Sequence, residues 1–417
     1  MKLTIKSKTI LITLLLFNMI TNVTILSGIS RYVFLGFIFV ILILHIINKN
    51  ILYIDKNFIR IIIFPELIFL FINVLLSDVE YKSMYFFLIL INSMSVLFIN
   101  WNIKDIKQIF TWLNRIIIFC SITVLINLVI PSLFSKYLSF LIIPSSIETI
   151  SIEVSNGQYS GIIGERSLTC VLIIIGIALN FAEALIEKKK WKNNFTYILY
   201  YLFIILLTGK RALLVIPLVV SLLLLFTLKF KGKMKKILTM IPLMIVTGVI
   251  LFDFIPAAQV VLERNMKLIS NNMFLNGREL LWMLAIQMYY MHPWIGCGLN
   301  TFNTKFSEWG IWSSSWGSHA HNTYIQLLGE TGKIGLYMFV IFFVIALFKT
   351  IRLSRNKKVN TNKELYFITI FSLFIQIFWL LYGFTGNPFY TPGQCLMYYF
   401  SVSLSLYVER SAKNKVV

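Results

Sequence analysis

Long apolar runs alternate with short polar segments along nearly the whole chain. Most runs are long enough to cross a bilayer as a helix, although several lie at the short end of the required length. They predict about twelve transmembrane helices, at about 9–29, 32–47, 61–76, 84–100, 116–130, 167–186, 195–208, 212–228, 237–255, 334–349, 365–384 and 394–408. We therefore expect a single integral membrane domain over residues 1–417, an all-α polytopic membrane protein.

The composition agrees with this pattern, because 58% of the 417 residues are hydrophobic and only 13% are charged. A soluble domain carries about twice as many charges. The first apolar run is long and no small-residue cleavage site follows it. We interpret it as a span and not as a signal peptide.

The net charge of +21 could indicate a nucleic-acid partner, but the basic residues gather in alternate polar segments. If the N-terminus is cytoplasmic, 27 of the 38 Lys and Arg residues lie on the inner side. This asymmetry is typical of membrane proteins, in which cytoplasmic loops are enriched in Lys and Arg. It predicts a multi-pass protein of the cell inner (cytoplasmic) membrane, with both termini cytoplasmic and no nucleic-acid partner.

The same topology places two long loops on the outer side, residues 131–166 and 256–333. A connection of nearly eighty residues usually carries a binding or catalytic element. The stretch 277–335 lies mostly in this second loop and holds three of the four histidines and five of the nine tryptophans. We expect one large extracytoplasmic loop with short helices, and we expect it to be catalytic.

Charges also occur at the predicted outer membrane face, against the usual bias. Lys210 and Arg211 lie in the turn between the seventh and eighth spans, and Glu165 and Arg166 lie at the mouth of the sixth. Such charges are functional candidates. The alternatives are that Lys210 and Arg211 reach lipid headgroups, and that Glu165 and Arg166 form an exposed ion pair of little energetic weight.

The apolar spacing after Leu280 predicts a helix that begins near Arg278 and ends before Pro293. A guanidinium at a helix start adds its donors to the free backbone N–H groups there, a combination suited to phosphate. Gly296 and Gly298 permit a tight backbone turn or the close approach of a ligand. Arg278 is thus a candidate anion ligand, while an ordinary solvated arginine is the alternative.

A second short helix is predicted after His321, with Asn322 as its N-cap and Gly329 and Gly332 as stop residues. The positive end of the helix dipole disfavours a protonated imidazole at this position. A neutral ring can accept a proton, so His321 is a candidate general base.

A metal site at His319 and His321 would need further ligands, and no nearby cysteine or carboxylate at a characteristic spacing supplies them. No Asp-x-Asp pair is present to hold a divalent ion for a nucleotide sugar. The four cysteines are scattered and are expected to be buried packing residues. We predict no metal and no cofactor.

The segments GRELLW, HPWIGCGLNTF and HAHNTYIQLLGETGKIGLY resemble the O-antigen ligase/polymerase superfamily, which includes the Wzy-type polysaccharide polymerases. The ligase-type pattern of His, then Asn, Ser or Gln, nine residues and Gly-x-x-Gly matches at His321, Asn322, Gly332 and Gly335. The turn TGKRALL resembles the Ser-Arg element of that family, with Lys210 in place of the serine. The resemblance covers about residues 205–345.

The resemblance implies a metal-independent glycosyltransferase of the GT-C-like type. The enzyme would transfer a glycan chain from undecaprenyl pyrophosphate to a hydroxyl of another lipid-linked repeat unit. His321 would act as the base, and Arg211 and Arg278 would hold the pyrophosphate, with Arg166 as a third candidate. Whether Lys210 or Arg211 takes the role of the Ser-Arg element stays open. The other expected substrate-binding residues are Lys210, Glu165, His319, Asn322 and Trp294.

Three functions remain open at this point. The first is a polymerase of surface polysaccharide, either capsule or O-antigen, with a chain-length regulator as a partner in the bilayer. The second is an O-antigen ligase or a protein O-oligosaccharyltransferase. The third is a lipid-linked oligosaccharide transporter or flippase, although transporter sites normally lie near the bilayer midplane and not in outer loops.

Overall fold

A computed structural model describes the chain over residues 2–20, 32–228 (apart from 48, 78, 139, 141, 143 and 188), 278–308 and 319–414. The predicted ninth span lies outside these residues. So do residues 256–277 and 309–318 of the predicted outer loop. Across the described ranges the chain is helical between its loops and contains no strand, apart from one isolated bridge between Leu52 and Ile99.

Sixteen α-helices are numbered here in chain order through the described residues. They are α1 Lys2–Ile20, α2 Phe37–Ile47, α3 Phe58–Leu75, α4 Glu80–Ser95, α5 Ile103–Val129, α6 Pro131–Tyr137, α7 Pro144–Ser155, α8 Arg166–Ile186, α9 Trp191–Leu207, α10 Arg211–Thr227, α11 Arg278–Met291, α12 Phe302–Glu308, α13 Thr323–Ser354, α14 Lys357–Thr361, α15 Lys363–Tyr382 and α16 Pro392–Asn414. Eleven of the twelve predicted apolar runs overlap these helices, the first of them described only as far as Ile20.

Several helices have the length and composition of membrane spans. Among the described residues six qualify, and they are Phe58–Leu75, Glu80–Phe98, Ile103–Val129, Arg166–Ile186, Thr323–Ser354 and Lys363–Tyr382. The prediction of an all-helical, multi-pass membrane protein is therefore confirmed. The number of twelve crossings stays a prediction.

Helices α8 and α15 form the centre of the bundle. In the apolar window of each helix, 89% of α8 and 83% of α15 is buried, against 33% of α13. Gly176 lets α8 lie close to its neighbours, because a Cβ there would come within 2.8 Å of Ile117 and 2.9 Å of Tyr201. Small residues at helix interfaces allow such close packing in membranes.

The two ends of the bundle differ in charge. Helix α13 begins at Thr323 beside the histidines and ends at Ser354, so its two termini define opposite ends. At the Ser354 end, ion pairs connect α13 to α16 through Lys349 and Glu409 (2.6 Å) and α15 to α8 through Lys363 and Glu187 (2.9 Å). This is the Lys-rich end that the sequence assigns to the cytoplasm, and its sidedness stays a prediction.

Candidate active site

The turn that follows α11 is held against α13 by backbone hydrogen bonds. Helix α11 ends at Met291, as predicted from Pro293. Gly296 has φ 74°, and a Cβ there would lie 2.3 Å from the Glu330 carbonyl carbon. Gly298 has φ 111°, and its N–H donates to the Glu330 carbonyl at 3.0 Å. The predicted tight turn at the two glycines is confirmed. The segment that comes close to Gly296 is the backbone of Glu330, and the approach of a ligand stays a prediction.

The N-terminus of α13 has the predicted cap. Asn322 Oδ1 accepts hydrogen bonds from the N–H groups of Tyr324 at 3.0 Å and Ile325 at 3.2 Å. Such a cap satisfies donors that have no partner within the helix. This bond uses the side-chain oxygen of Asn322, and the contact of Asn322 with substrate stays a prediction.

The two predicted stop residues have different roles. Gly332 does interrupt α13, because its φ of 64° and ψ of −168° are not helical. The helix resumes directly and continues to Ser354. The prediction for Gly329 is wrong, since this residue lies inside the helix. A Cβ at Gly329 would come within 2.6 Å of the Ala285 carbonyl oxygen, so the glycine permits close packing of α11 on α13.

His321 has an unusual backbone conformation and a ring without a hydrogen-bonding partner in the described parts of the chain. Its φ is 52°, in the left-handed region that only a few per cent of non-glycine residues adopt. Backbone strain of this kind is concentrated at functional sites. Burial, together with the charges of Arg278, His319 and Lys210, lowers the pKa of the imidazole to about 4. The ring is therefore neutral at pH 7 and can accept a proton.

His319 differs from His321 because its ring is held in place. Its Nδ1 lies 3.4 Å from Gln326 Nε2, and its ring centroid lies 5.5 Å from that of Tyr390. Burial lowers the pKa of His319 to about 4 as well. Both rings are neutral, but the contacts favour a structural role for His319 and leave His321 available to a substrate.

A buried carboxylate that was not predicted from the sequence, Glu330, is connected to the histidine loop. Glu330 is fully buried and accepts hydrogen bonds from Tyr390 Oη at 2.7 Å, Gln326 Nε2 at 2.9 Å, Asn300 N at 2.7 Å and Phe302 N at 3.2 Å. Four donors on one carboxylate compensate much of the cost of its burial. The available signal was a Gln and a Glu four residues apart on one face of an apolar helix.

Gln326 connects this carboxylate to the histidine loop. Its Oε1 accepts from the Ala320 N–H at 2.9 Å and from Asn387 Nδ2 at 2.5 Å, while its Nε2 donates to Glu330. Ala320 lies between the two histidines. A buried network of side chains therefore fixes the position of the loop. One member of this network, Asn387, lies outside the motif that runs from His321 to Gly335.

Arg278 is the first residue of α11, as predicted. Its Nη1 donates to the Thr385 carbonyl at 3.0 Å, and its remaining donors make no hydrogen bond within the described residues. Burial lowers the pKa of the guanidinium from its ordinary value, although an arginine stays charged at neutral pH. Arg278 therefore keeps donors for an anion close to His321.

The start of α8 contradicts the proposed pairing of Glu165 with Arg166. Arg166 Nε donates to Glu153 at 2.7 Å, and its Nη1 contacts Gln158. The Glu165 carboxylate instead caps α8 by accepting from the backbone N–H groups of residues 167 and 168 at 2.8 and 2.7 Å. The alternative of an ion pair between Glu165 and Arg166 is thus wrong, because each charged group binds other partners.

Lys210 is close enough to Glu165, Arg166 and His321 for its charge to interact with each of them. Its ammonium forms no ion pair or hydrogen bond in the part of the chain that the structure describes, and burial lowers its pKa. The charges of Glu165 and Arg166 act on Lys210, and Lys210 in turn acts on His321. Arg211 begins helix α10 directly after it. The structure therefore brings together most of the predicted site residues.

Trp294 has a different environment. Its side chain is 65% exposed, and Lys333 Nζ lies 5.5 Å from its ring centroid. No contact with the histidines occurs among the described residues. This placement favours an interfacial anchor, and stacking of Trp294 on a sugar stays a prediction. The other tryptophans considered for stacking, Trp309, Trp312 and Trp316, lie outside the described residues.

Comparison with known proteins identifies the segment that contains this site. Residues 196–340 match the protein-family model described as Wzy_C: O-Antigen ligase. A curated relative, the exopolysaccharide production protein ExoQ of Rhizobium meliloti (strain 1021), is 28% identical over 145 residues. That alignment covers 33% of this chain and 33% of the relative. The resemblance to the O-antigen ligase/polymerase superfamily is therefore confirmed over the region that holds Arg211, Arg278 and His321.

Proposed function

We propose that this protein is a polymerase of surface polysaccharide, of the capsule or O-antigen kind. It transfers a glycan chain from undecaprenyl pyrophosphate to a hydroxyl of another lipid-linked repeat unit. The observation that carries this proposal is the neutral imidazole of His321, which has no hydrogen-bonding partner among the described residues and interacts with two cations, Arg278 and Lys210. The family match and the exopolysaccharide relative support the same substrate class.

The reaction uses these groups in separate roles. The acceptor hydroxyl oxygen attacks the anomeric carbon of the donor, and the bond from that carbon to the pyrophosphate oxygen breaks. Undecaprenyl pyrophosphate leaves with the bonding electron pair, and His321 takes the hydroxyl proton. A positioned general base of this kind contributes roughly 10²–10⁴-fold to the rate.

The cations stabilise the leaving group. Negative charge increases on the pyrophosphate as the bond breaks, and donors already aimed at that charge lower the barrier. The free donors of Arg278 and the ammonium of Lys210 meet this need, with Arg211 and Arg166 next to Lys210. A bound pyrophosphate also raises the pKa of His321 towards neutrality, because an opposite charge favours the protonated ring. The base is therefore strengthened when donor is present.

The second candidate is a ligase, either for O-antigen or for protein O-glycosylation. The description of the matching family favours it, since that description names an O-antigen ligase. Polymerase and ligase share the donor and the leaving group and differ in the acceptor. The transporter alternative is less favoured, because the cationic cluster lies at one end of the bundle and not at its midplane.

The deciding experiment gives purified protein in lipid nanodiscs one undecaprenyl-pyrophosphate-linked repeat unit as the sole glycan. We expect a ladder of lengthening products, retained in EDTA and lost in His321→Ala. A single transfer that requires added lipid A-core or acceptor protein would establish the ligase instead. Movement of the lipid-linked glycan between leaflets without any change in length would overturn both transferase proposals.

A further inference from the structure

A wide groove opens at the end of the bundle opposite His321. It lies where α3 begins and where α13 and α16 end, and its volume is about 1300 Å³. The 32-residue helix α13 separates this groove from the histidines. After the interruption at Gly332 the helix is continuous over the 22 residues from Lys333 to Ser354, roughly 33 Å at 1.5 Å per residue. The groove is thus a separate site.

One wall of the groove is apolar and exposed. Val344 and Phe348 are four residues apart on one face of α13 and are 56% and 70% exposed. Phe58 of α3 lines the same groove and is 60% exposed. Residues four apart on a helix lie one above the other, so this wall runs along the helix towards the bilayer interior.

The rim of the groove has an excess of positive charge. Lys349 and Lys413 both pair with Glu409, at 2.6 and 3.0 Å, so one carboxylate serves two lysines. The rim also contains Arg352, Lys357 and Lys358. Within the described residues their charged head groups form no ion pair and no hydrogen bond.

A second groove at the same end has nearly balanced charges, since its lining contains four cations, Lys107, Arg115, Lys190 and Lys363, and three carboxylates, Glu183, Glu187 and Glu364. Its volume is about 740 Å³, and it lies where α5 and α15 begin and where α8 ends. There Lys190 pairs with Glu183 at 2.7 Å and Lys363 with Glu187 at 2.9 Å. Lys107 pairs with Glu364 in the same groove. Within the described residues, Arg115 is the one cation of this second groove outside an ion pair, whereas the first groove has three, Arg352, Lys357 and Lys358.

We propose that the first groove binds an anionic phospholipid from the adjacent leaflet. The phosphate contacts the cations of Arg352, Lys357 and Lys358, and one acyl chain lies along Val344 and Phe348. Arginine suits this role because its planar fork binds phosphate oxygens in pairs. Basic pockets between helices on the cytoplasmic side are the sites at which anionic headgroups are recognised.

The test uses two triple variants that remove the same number of positive charges. The groove variant is Arg352→Gln, Lys357→Gln and Lys358→Gln, and the control variant is Lys107→Gln, Lys190→Gln and Lys363→Gln. Binding of dioleoyl phosphatidylglycerol to the full-length protein is measured by native mass spectrometry, with phosphatidylethanolamine as the zwitterionic comparison.

We expect wild type and control variant to retain bound phosphatidylglycerol equally, and the groove variant to bind it at least about tenfold more weakly. Each Lys or Arg near an anionic surface contributes roughly a fivefold gain in affinity. Equal losses in the two triple variants would show that attraction is unspecific and would overturn the proposal. If the groove variant does not fold, Arg352→Gln alone and Phe348→Ser, which removes the apolar contact, are compared with Lys363→Gln by the same criterion.

Discussion

The hydroxyl of Tyr390 donates to Glu330 at 2.7 Å, across sixty positions of sequence. This bond joins the first turns of α13 to the segment that leads into α16. It also brings the Tyr390 ring against that of His319. A buried acid and a buried phenol thus support the loop on which His321 lies.

We first predict that Tyr390→Phe lowers stability by about 1–3 kcal/mol, because the variant removes a donor from a buried carboxylate. Tyr398→Phe is the matched control. Tyr398 is fully buried, and its hydroxyl has no hydrogen-bonding partner among the described residues. Its loss should change stability by less than about 0.5 kcal/mol. Thermal unfolding in detergent measures both, and equal destabilisation would contradict the assigned network.

A second prediction separates the two histidines. His321→Ala should reduce polymer formation by roughly 10²–10⁴-fold, the usual contribution of a general base. His319→Ala should cost less, because the ring contacts Gln326 and Tyr390 and acts through them. Product length and yield are measured at matched expression. Near-normal yield from His321→Ala would refute the assignment of the base, with Glu165 as the next candidate acceptor.

The third prediction concerns pH. A general base works in its deprotonated form, and burial together with nearby cations lowers the pKa of free His321 to about 4. The value of kcat/KM should therefore stay constant as the pH falls through 6.5, the ordinary pKa of histidine. It should decline only near pH 4 to 5. A decline centred near 6.5 would show that the imidazole of the free enzyme is not desolvated as described.

Fourth, Arg278→Lys should weaken the use of lipid-linked donor by roughly tenfold, since a lysine keeps the charge and loses the forked donor geometry. The effect should appear in KM for the donor more than in folding. Arg355→Lys, an exposed change at the opposite end of the bundle, is the control. If both variants raised KM for the donor equally, the effect would not come from a contact of Arg278 with the donor.

Fifth, the site end of the bundle should face away from the cytoplasm. Glu279 and Asn360 are both exposed and lie at opposite ends, and all four native cysteines are buried. A membrane-impermeant maleimide in intact cells should label Glu279→Cys and not Asn360→Cys. The reverse result would invert the topology and place the site on the side without the expected substrate.

Local signals predicted the local structure well. The cap at Asn322, the helix end before Pro293 and the helix start at Arg278 depend on neighbouring residues, so the sequence contains them. The partners of Arg166 and Glu165 did not follow from adjacency, because Glu153 is brought close by the packing of α7. Glu330 was missed for the same reason. Three of its four donors, Asn300, Phe302 and Tyr390, come from segments that only the tertiary fold brings to α13.

The backbone conformation of the glycines in the site was easier to predict than their packing partners. Gly296 and Gly298 were expected to turn the chain, and they do. Gly329 was predicted to end the helix. The sequence shows that this position has no side chain, but it does not show which neighbouring segment packs into the space beside it. That neighbour is the backbone of Ala285, on a helix more than forty residues away.

The interruption at Gly332 has a consequence for how this region can change over time. Across the break, the N–H groups of Cys297, Gly298, Lys333 and Ile334 all donate to carbonyls of the facing segment, at 2.9 to 3.2 Å. These bonds are made by main chain alone, so they depend on the glycines at 296, 298 and 332, which let the two segments approach, and not on the identity of the other side chains. Side chains at the other positions around the turn can therefore be exchanged while the segment that carries the histidines stays where it is.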